Sequence, residues 1–211
     1  QWCEICSDVP GIFTADPRVV PEAICLENMS LEEALALSRN GARVLHDEAI
    51  AYAMREGIEL LASATASPSP GTRIQVGPLP ARVVGITHDQ ALELFEADDS
   101  RVLLEALHLA GAPLRFVDDR RVLVDSRNWP DRQAFTPPEG CVSLGAVAVI
   151  AAVGGGMDSH LSLAREGIAC LEDSKIALRG WFSSELAVKW IVSVEDAEAA
   201  VRALHALWIA P

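Results

Sequence analysis

The sequence predicts an α/β protein built from more than one unit, and three observations carry that reading. Helix-length segments with their own start and stop residues alternate with apolar runs of strand length. Beyond about residue 80, two successive stretches of similar size each mix short strands with a helix, as an internal repeat would. Hydrophobic residues make up 50% and charged residues 22% of the 211, a balance that can bury a sizeable core.

Taken in order, Cys3 to Cys6 reads as a short strand running into the turn-forming Ser7-Asp8-Val9-Pro10-Gly11. Phe13 to Pro21, with two prolines, is expected to be an ordered loop. Ser30 and Glu33 form an S-x-x-E box that should open a helix, and Gly41 should stop it. A second helix is expected from about His46 to Glu56, with Gly57 at its end, followed by a buried strand over Ile58 to Ala62. The small residues and prolines of 63–72 read as a linker, and a domain boundary is placed near them. Strands are predicted at Arg82–Ile86 and Ala91–Glu96, a helix over Asp99–Ala110, and a hairpin of Leu114–Val117 with Arg121–Asp125. After a proline-broken stretch, the pattern predicts a strand at Val147–Val153, a Gly154-Gly155-Gly156 loop and a helix from about Ser159. Strands at Lys175–Trp181 and Leu186–Val194 and a helix over Asp196–Leu207 complete the reading.

Composition excludes several function classes. The formal charge of −13 repels nucleic acid and anionic lipid over a Debye length of about 8 Å. No apolar run reaches the roughly 18 residues of a membrane span, and the N-terminus lacks the pattern of a signal peptide, so a cytoplasmic protein is expected. The chain opens on Gln1 and passes directly into a mid-strand pattern, which leads us to expect further sequence upstream. Cys3 and Cys6 form a C-x-x-C, but no second pair or histidine pair completes a metal shell, so both read as strand residues. No metal site is predicted. His88, His108 and His205 lack ligand spacing and read as surface or packing residues, and the tryptophans read as core or interface.

Six segments resemble a known family, three before residue 75 and three near the C-terminus. Ser7-Asp8-Val9-Pro10-Gly11-Ile12-Phe13-Thr14-Ala15-Asp16-Pro17-Arg18 resembles the T-D-V-x-G-[IV]-Y-T-x-D-P-R motif of amino-acid kinases. Asn40-Gly41-Ala42-Arg43-Val44-Leu45-His46 is similar to the aspartokinase G-A-K-V-L-H-P, and Pro70-Gly71-Thr72-Arg73-Ile74 to its G-T-x-I. Near the C-terminus, Gly154-Gly155-Gly156-Met157-Asp158-Ser159-His160 resembles G-x-G-M-x-S-H of the second aspartokinase ACT domain. Ser183-Ser184-Glu185 resembles its S-T-S-E, and Ala203-Leu204-His205 its closing R-A-L-H. The fold this implies is the C-terminal part of an amino-acid-kinase α/β sandwich, followed by two ACT-like (ferredoxin-like βαββαβ) regulatory units. The kinase part would span 1–76 and the paired units 77–211, the first about 80–140 and the second about 141–211, with interleaving of the two allowed.

The resemblance implies an aspartate kinase, converting ATP and L-aspartate to ADP and 4-phospho-L-aspartate in aspartate-family amino-acid biosynthesis. Phosphoryl transfer rests on positioning and charge neutralisation. By resemblance, Ser7 and Asp8 would line the nucleotide site, Phe13 would pack on adenine, Arg18 and Arg43 would approach the phosphates of Mg-ATP, and Val44 would lie beside the base. From the residues alone, Phe13 reads better as core and Asp16-Pro17-Arg18 as a turn with an ion pair; the flanking resemblance reverses that preference. Arg43 replaces the family's Lys, keeping charge with a different donor geometry. An effector, lysine or threonine, would meet Gly156, Met157, Ser159, His160, Ser184 and Glu185. A glycine-rich approach to a helix N-terminus suits a carboxylate, although a tight turn needs the same glycines. Ala97-Asp98-Asp99-Ser100 replaces the family's D-x-P-G loop in the first unit, and Asp98 and Asp99 read better as a helix cap than as effector ligands.

No counterpart of the family's K-F-G-G-T, aspartate-binding Glu and Arg, or S-D motif is found, so no catalytic residue is assigned and this chain alone is expected to be inactive. A homodimer through the ACT units is implied. The alternative is a non-catalytic, amino-acid-binding ACT regulatory subunit, against which the nucleotide-type segment at 7–18 argues. Another amino-acid kinase is disfavoured by the G-A-R-V-L-H and S-H segments.

Overall fold

The computed structural model describes residues 1–65, 70–155 and 160–209. They divide into two compact units, one formed by residues 1–88 and 150–211 and the other by 89–149. The sequence boundary at 76 lies inside the first of these.

In the first unit, β1 (Trp2–Ser7) and β2 (Asn28–Ser30) precede two helices. Helix α1 (Leu31–Arg39) starts at the expected capping box. The Ser30 hydroxyl accepts the Glu33 N–H at 3.0 Å, and the Glu33 carboxylate accepts the Ser30 N–H at 3.0 Å. It buries Leu31, Ala34 and Leu37, spaced along one face. Helix α2 (Asp47–Glu56) is capped by His46, and Gly57, at φ 65°, closes it in the left-handed conformation.

Strand β3 (Glu59–Ala64) follows, then β4 (Thr72–Gln75). These two pair antiparallel, Leu60 opposite Ile74, so the strands on either side of the expected linker lie in one sheet. The four-stranded order is β1-β3-β4-β2, with β1 parallel to β3 and β2 parallel to β4. Ile12, Leu37, Ile50, Leu60 and Ile74 are buried in one apolar cluster on this sheet.

Strand β5 (Arg82–Ala97) is continuous over 16 residues, where the sequence reading broke it at Thr87–Gln90. Its second half belongs to the other unit, with α3 (Ser100–Leu109), β6 (Leu114–Val117), β7 (Arg121–Asp125) and the start of β8 (Cys141–Gly155). There β7 lies between β5 and β6, antiparallel to both. Asp99 caps α3, accepting the Arg101 N–H at 2.9 Å. The core joins Phe95, Leu103, Leu107, Val122, Val124 and Trp129.

The chain re-enters the first unit within β8. Gly154 and Gly155 lie in that strand rather than in a loop, and a Cβ on Gly154 would stand 1.9 Å from the Arg82 carbonyl oxygen, so the close approach requires glycine there. Helix α4 (His160–Asp173) is followed by β9 (Gly180–Ser184), β10 (Ala187–Val192) and α5 (Ala197–Trp208). Residues 175–179 are not a strand. Lys175 takes φ 60° and its N–H bonds the Glu172 carbonyl, which turns the chain out of α4. Strands β9 and β10 form a hairpin, and α5 buries Ala197, Ala200, Val201 and Leu204 as its periodicity predicts.

Candidate functional site

The segment 7–18 leaves β1 as a closely held turn. Ser7 is half-buried, and its hydroxyl donates to the Val9 carbonyl at 3.1 Å while accepting the Val9 N–H at 3.2 Å. The Thr65 N–H and hydroxyl both donate to the Ser7 carbonyl, at 2.9 and 3.0 Å. Asp8 is exposed. Thr72 then clamps the turn: its hydroxyl oxygen accepts the Ile12 N–H at 2.8 Å. The same hydroxyl would lie 2.6 Å from a Cβ on Gly11, whose φ is 154°, so only glycine fits there. The first and third family-like segments therefore meet directly.

Phe13 is half-buried and bridges Cys25 across an antiparallel contact. Arg18 folds onto Asp16, with its backbone N–H 2.9 Å and its guanidinium 2.7 Å from the carboxylate. The guanidinium's hydrogen bond holds the Asp16 carboxyl below its ordinary range against the opposing effect of burial. The same bond, with the Asp16 charge and a smaller contribution from Asp8, raises Arg18. The side chain of Arg18 is 89% exposed, so the turn with an ion pair forms and the guanidinium still faces solvent.

The second segment closes α1. Asn40 bonds back to the Ala36 and Leu37 carbonyls, and its side-chain amide donates to the Ala36 carbonyl at 2.6 Å. Ser38 donates to the Leu45 carbonyl at 2.8 Å, which holds the loop between them. Arg43 is exposed and enters no ion pair among the described residues. Val44 is half-buried and packs against the cluster that contains Ile12 and Ile74. All three segments thus rest on one apolar base, with Asp8, Arg18 and Arg43 presented to solvent. Sequence reasoning noted Thr72 only as part of a motif and missed it as the clamp, because its partner lies 60 positions away.

Of the residues expected to meet an effector, Ser184 and Glu185 lie at the β9–β10 turn and are exposed. Gly156, Met157 and Ser159 lie outside the described residues, and His160 is the first residue of α4. Among the described residues no cluster of side chains could hold a metal ion, and all five cysteines are free thiols. No helix among them is long and apolar enough to cross a membrane.

Residues 1–61 match the amino acid kinase family. Across 96% of its length the chain is 28% identical to the aspartokinase of Corynebacterium glutamicum, covering 55% of that protein. The chain is thus similar to aspartokinases over almost its whole length. It spans about half the length of the curated relatives it matches, for example 56% of aspartokinase 2 of Bacillus subtilis at 26% identity over 96% of this chain. Solved aspartokinases share the fold. That of Clostridium acetobutylicum superposes with a TM-score of 0.84 at 24% identity, over 98% of this chain and 54% of its own. Aspartokinase III of Escherichia coli, in complex with aspartate and ADP, gives 0.79 at 22% identity over 96% of this chain and 51% of its own. Its complex with lysine and aspartate gives 0.72 at 20% identity, over 98% and 52%. The α/β fold of this chain is the one that these solved aspartokinases have over about half of their length.

Proposed function

We propose that this chain works as the nucleotide-holding end and regulatory part of an aspartate kinase, which transfers phosphate from ATP to the β-carboxylate of L-aspartate. The observation that carries the proposal is the Ile12–Thr72 hydrogen bond at 2.8 Å, which joins two of the three N-terminal kinase-like segments at one place. Residues 1–76 would be the kinase part and 77–211 the ACT part. Ser7 and Asp8 would line the ribose side, where an exposed carboxylate can accept hydrogen bonds from hydroxyls. Phe13 offers an aromatic face to adenine and Val44 an apolar edge.

The two arginines are not equivalent in this site. Arg18 is already neutralised by Asp16, whereas Arg43 has its charge unspent, so Arg43 would carry most of the phosphate binding. Magnesium would arrive bound to the phosphates of ATP. Lysine and threonine remain the effector candidates, and the lysine complex of the E. coli relative supports lysine first. Pairing of ACT units between two copies and a cytoplasmic location belong to the same reading.

Titration of the purified chain with Mg-ADP is the test, read by calorimetry and by thermal shift. Saturation at about 100-fold over the dissociation constant should add about 2.7 kcal/mol of stability. Arg43→Ala should weaken binding by about tenfold or more, as expected for a lost charge-assisted hydrogen bond, and Arg18→Ala should weaken it less. No binding by the wild-type chain, or a larger loss from Arg18→Ala, would overturn this assignment. The same thermal-shift format with lysine and with threonine tests the regulatory half.

A further inference from the structure

The nucleotide-type segments do not stand alone in the first unit. Thr14, one residue after Phe13, is 5% exposed, and His205 of α5 is 3% exposed. The Thr14 hydroxyl and His205 Nε2 lie 2.9 Å apart, 191 positions separated in sequence. The hydroxyl oxygen also accepts the Ile24 N–H at 3.0 Å. The hydroxyl oxygen keeps a second lone pair, so the Thr14–His205 bond forms with either tautomer of a neutral imidazole. Burial favours that neutral form and lowers the pKa of His205.

A second tether lies beside the first. Ile86 of β5 donates its N–H to the Thr14 carbonyl at 2.7 Å. One residue on, the Thr87 hydroxyl donates to the Asn40 carbonyl at 2.7 Å, in the loop that carries Arg43. Gly85 permits this approach, since a Cβ there would meet the Leu37 side chain at 3.1 Å and the Thr14 carbonyl oxygen at 3.2 Å. Both phosphate-side loops are thus hydrogen-bonded to elements beyond residue 76. A histidine that only filled the core would need no hydroxyl, and a threonine that only closed its own loop would need no histidine.

We propose that His205 is a positioning residue for the nucleotide site: through Thr14 it sets the stance of Phe13 and Arg18, and any displacement of α5 reaches the nucleotide by that route. This rests on the nucleotide reading of residues 7–18 and 40–44.

Mg-ADP affinity and thermal stability are measured in parallel on the chain and five variants. Thr14→Val and His205→Leu are each expected to weaken Mg-ADP by about fivefold, the scale of one neutral hydrogen bond. The double variant should be little worse than either single one, because both remove the same contact. Thr14→Ser keeps the hydroxyl and His205→Gln places an amide near the position of Nε2, so both should recover most of the affinity. If Thr14→Val and His205→Leu lower the melting temperature while Mg-ADP affinity stays at the wild-type value, the pair is structural and the proposal is wrong. If their losses add fully in the double variant, it is also wrong. A wild-type chain that binds no Mg-ADP removes the nucleotide reading and this proposal together. Wild-type binding that is weakened by Arg43→Ala but untouched by the Thr14 and His205 variants removes this proposal alone.

Discussion

The two units solve the problem of a stable interior in different ways. The first buries a broad apolar cluster; Thr14 bonds His205, Thr72 bonds Ile12, and the buried Glu33 carboxylate is held by the Ser30 N–H and hydroxyl and by no ion pair among the described residues. The second, smaller unit buries Asp89 at 7%, Glu93 at 6% and Asp125 at 3% exposure. Each has an arginine. Arg127 meets Asp89 at 2.6 Å, Arg115 meets Asp125 at 3.0 Å, and Arg132 chelates Glu93. Arg132 also lies over the rings of Phe95 and Trp129, 5.7 and 5.5 Å from their centroids. Small units bury a smaller fraction of their surface, and here charge pairs fill part of the interior that the first unit fills with aliphatic packing. The cost of losing a partner should therefore differ in kind: a cavity in the first unit, a stranded charge in the second.

The largest effect is expected where apolar packing is tightest. Trp190 is wholly buried, stacks on Trp208 at 5.8 Å and leaves so little room that a Cβ on Gly167 would stand 2.2 Å from its ring. Trp190→Ala should cost about 4 kcal/mol, measured by urea unfolding. Recovery of wild-type stability in that variant would mean that the first unit does not depend on this packing.

Next comes Arg132→Ala, which leaves the Glu93 carboxylate buried with Ser143 as its remaining partner. A loss of about 3 kcal/mol is expected for a broken buried pair. The double variant Arg132→Met with Glu93→Leu should regain most of it, because apolar groups of similar size need no counter-charge. If the double variant is as unstable as the single one, the network specifies the fold of this unit and does more than fill its interior.

This contrast also explains how much could be read from the sequence. The Ser30–Glu33 box, the Gly57 stop and the α5 stripe are local, and each was legible because its partners lie within a turn or two of helix. The aspartokinase-like segments were legible as patterns, although which of them touch was not. Strand β5 was split in two because Thr-His-Asp-Gln at 87–90 reads as a polar break. In the fold those polar groups have distant partners: Thr87 finds the Asn40 carbonyl, and Asp89 finds Arg127, 38 positions on. The prolines and small residues of 63–72 read as a linker for a similar reason, since the pairing of β3 with β4 is visible only in space. Asp98 and Asp99 were read as a cap from local pattern alone, and Asp99 does cap α3.

The smallest effect separates the units by pH. His205, in the first, has its pKa lowered by burial, with the Glu22 charge opposing. Its folded value lies below the unfolded value of about 6.5, so the unfolded chain takes up the proton first. Stability from the buried neutral imidazole is therefore complete above about pH 6.5 and declines as pH falls toward the folded value. In the second unit the resolved carboxylate shifts are also downward, but they act in a more acidic window. The guanidinium of Arg101 lowers Asp99 to about 2. Burial pushes Asp118 upward, yet the Arg120 and Arg121 N–H groups and the Arg121 side chain outweigh it and leave it lowered. Those carboxylates contribute above their unfolded value of about 3.9, and the contribution is lost only as pH falls below it. Between pH 7 and 5, amide exchange corrected for intrinsic rates should thus show α5 losing protection while β7 keeps its own. His205→Leu should abolish the change in α5. Equal loss in α5 and β7 over that window would mean that the two interiors answer to a common titration, and the contrast between the two cores would not govern their response to acid.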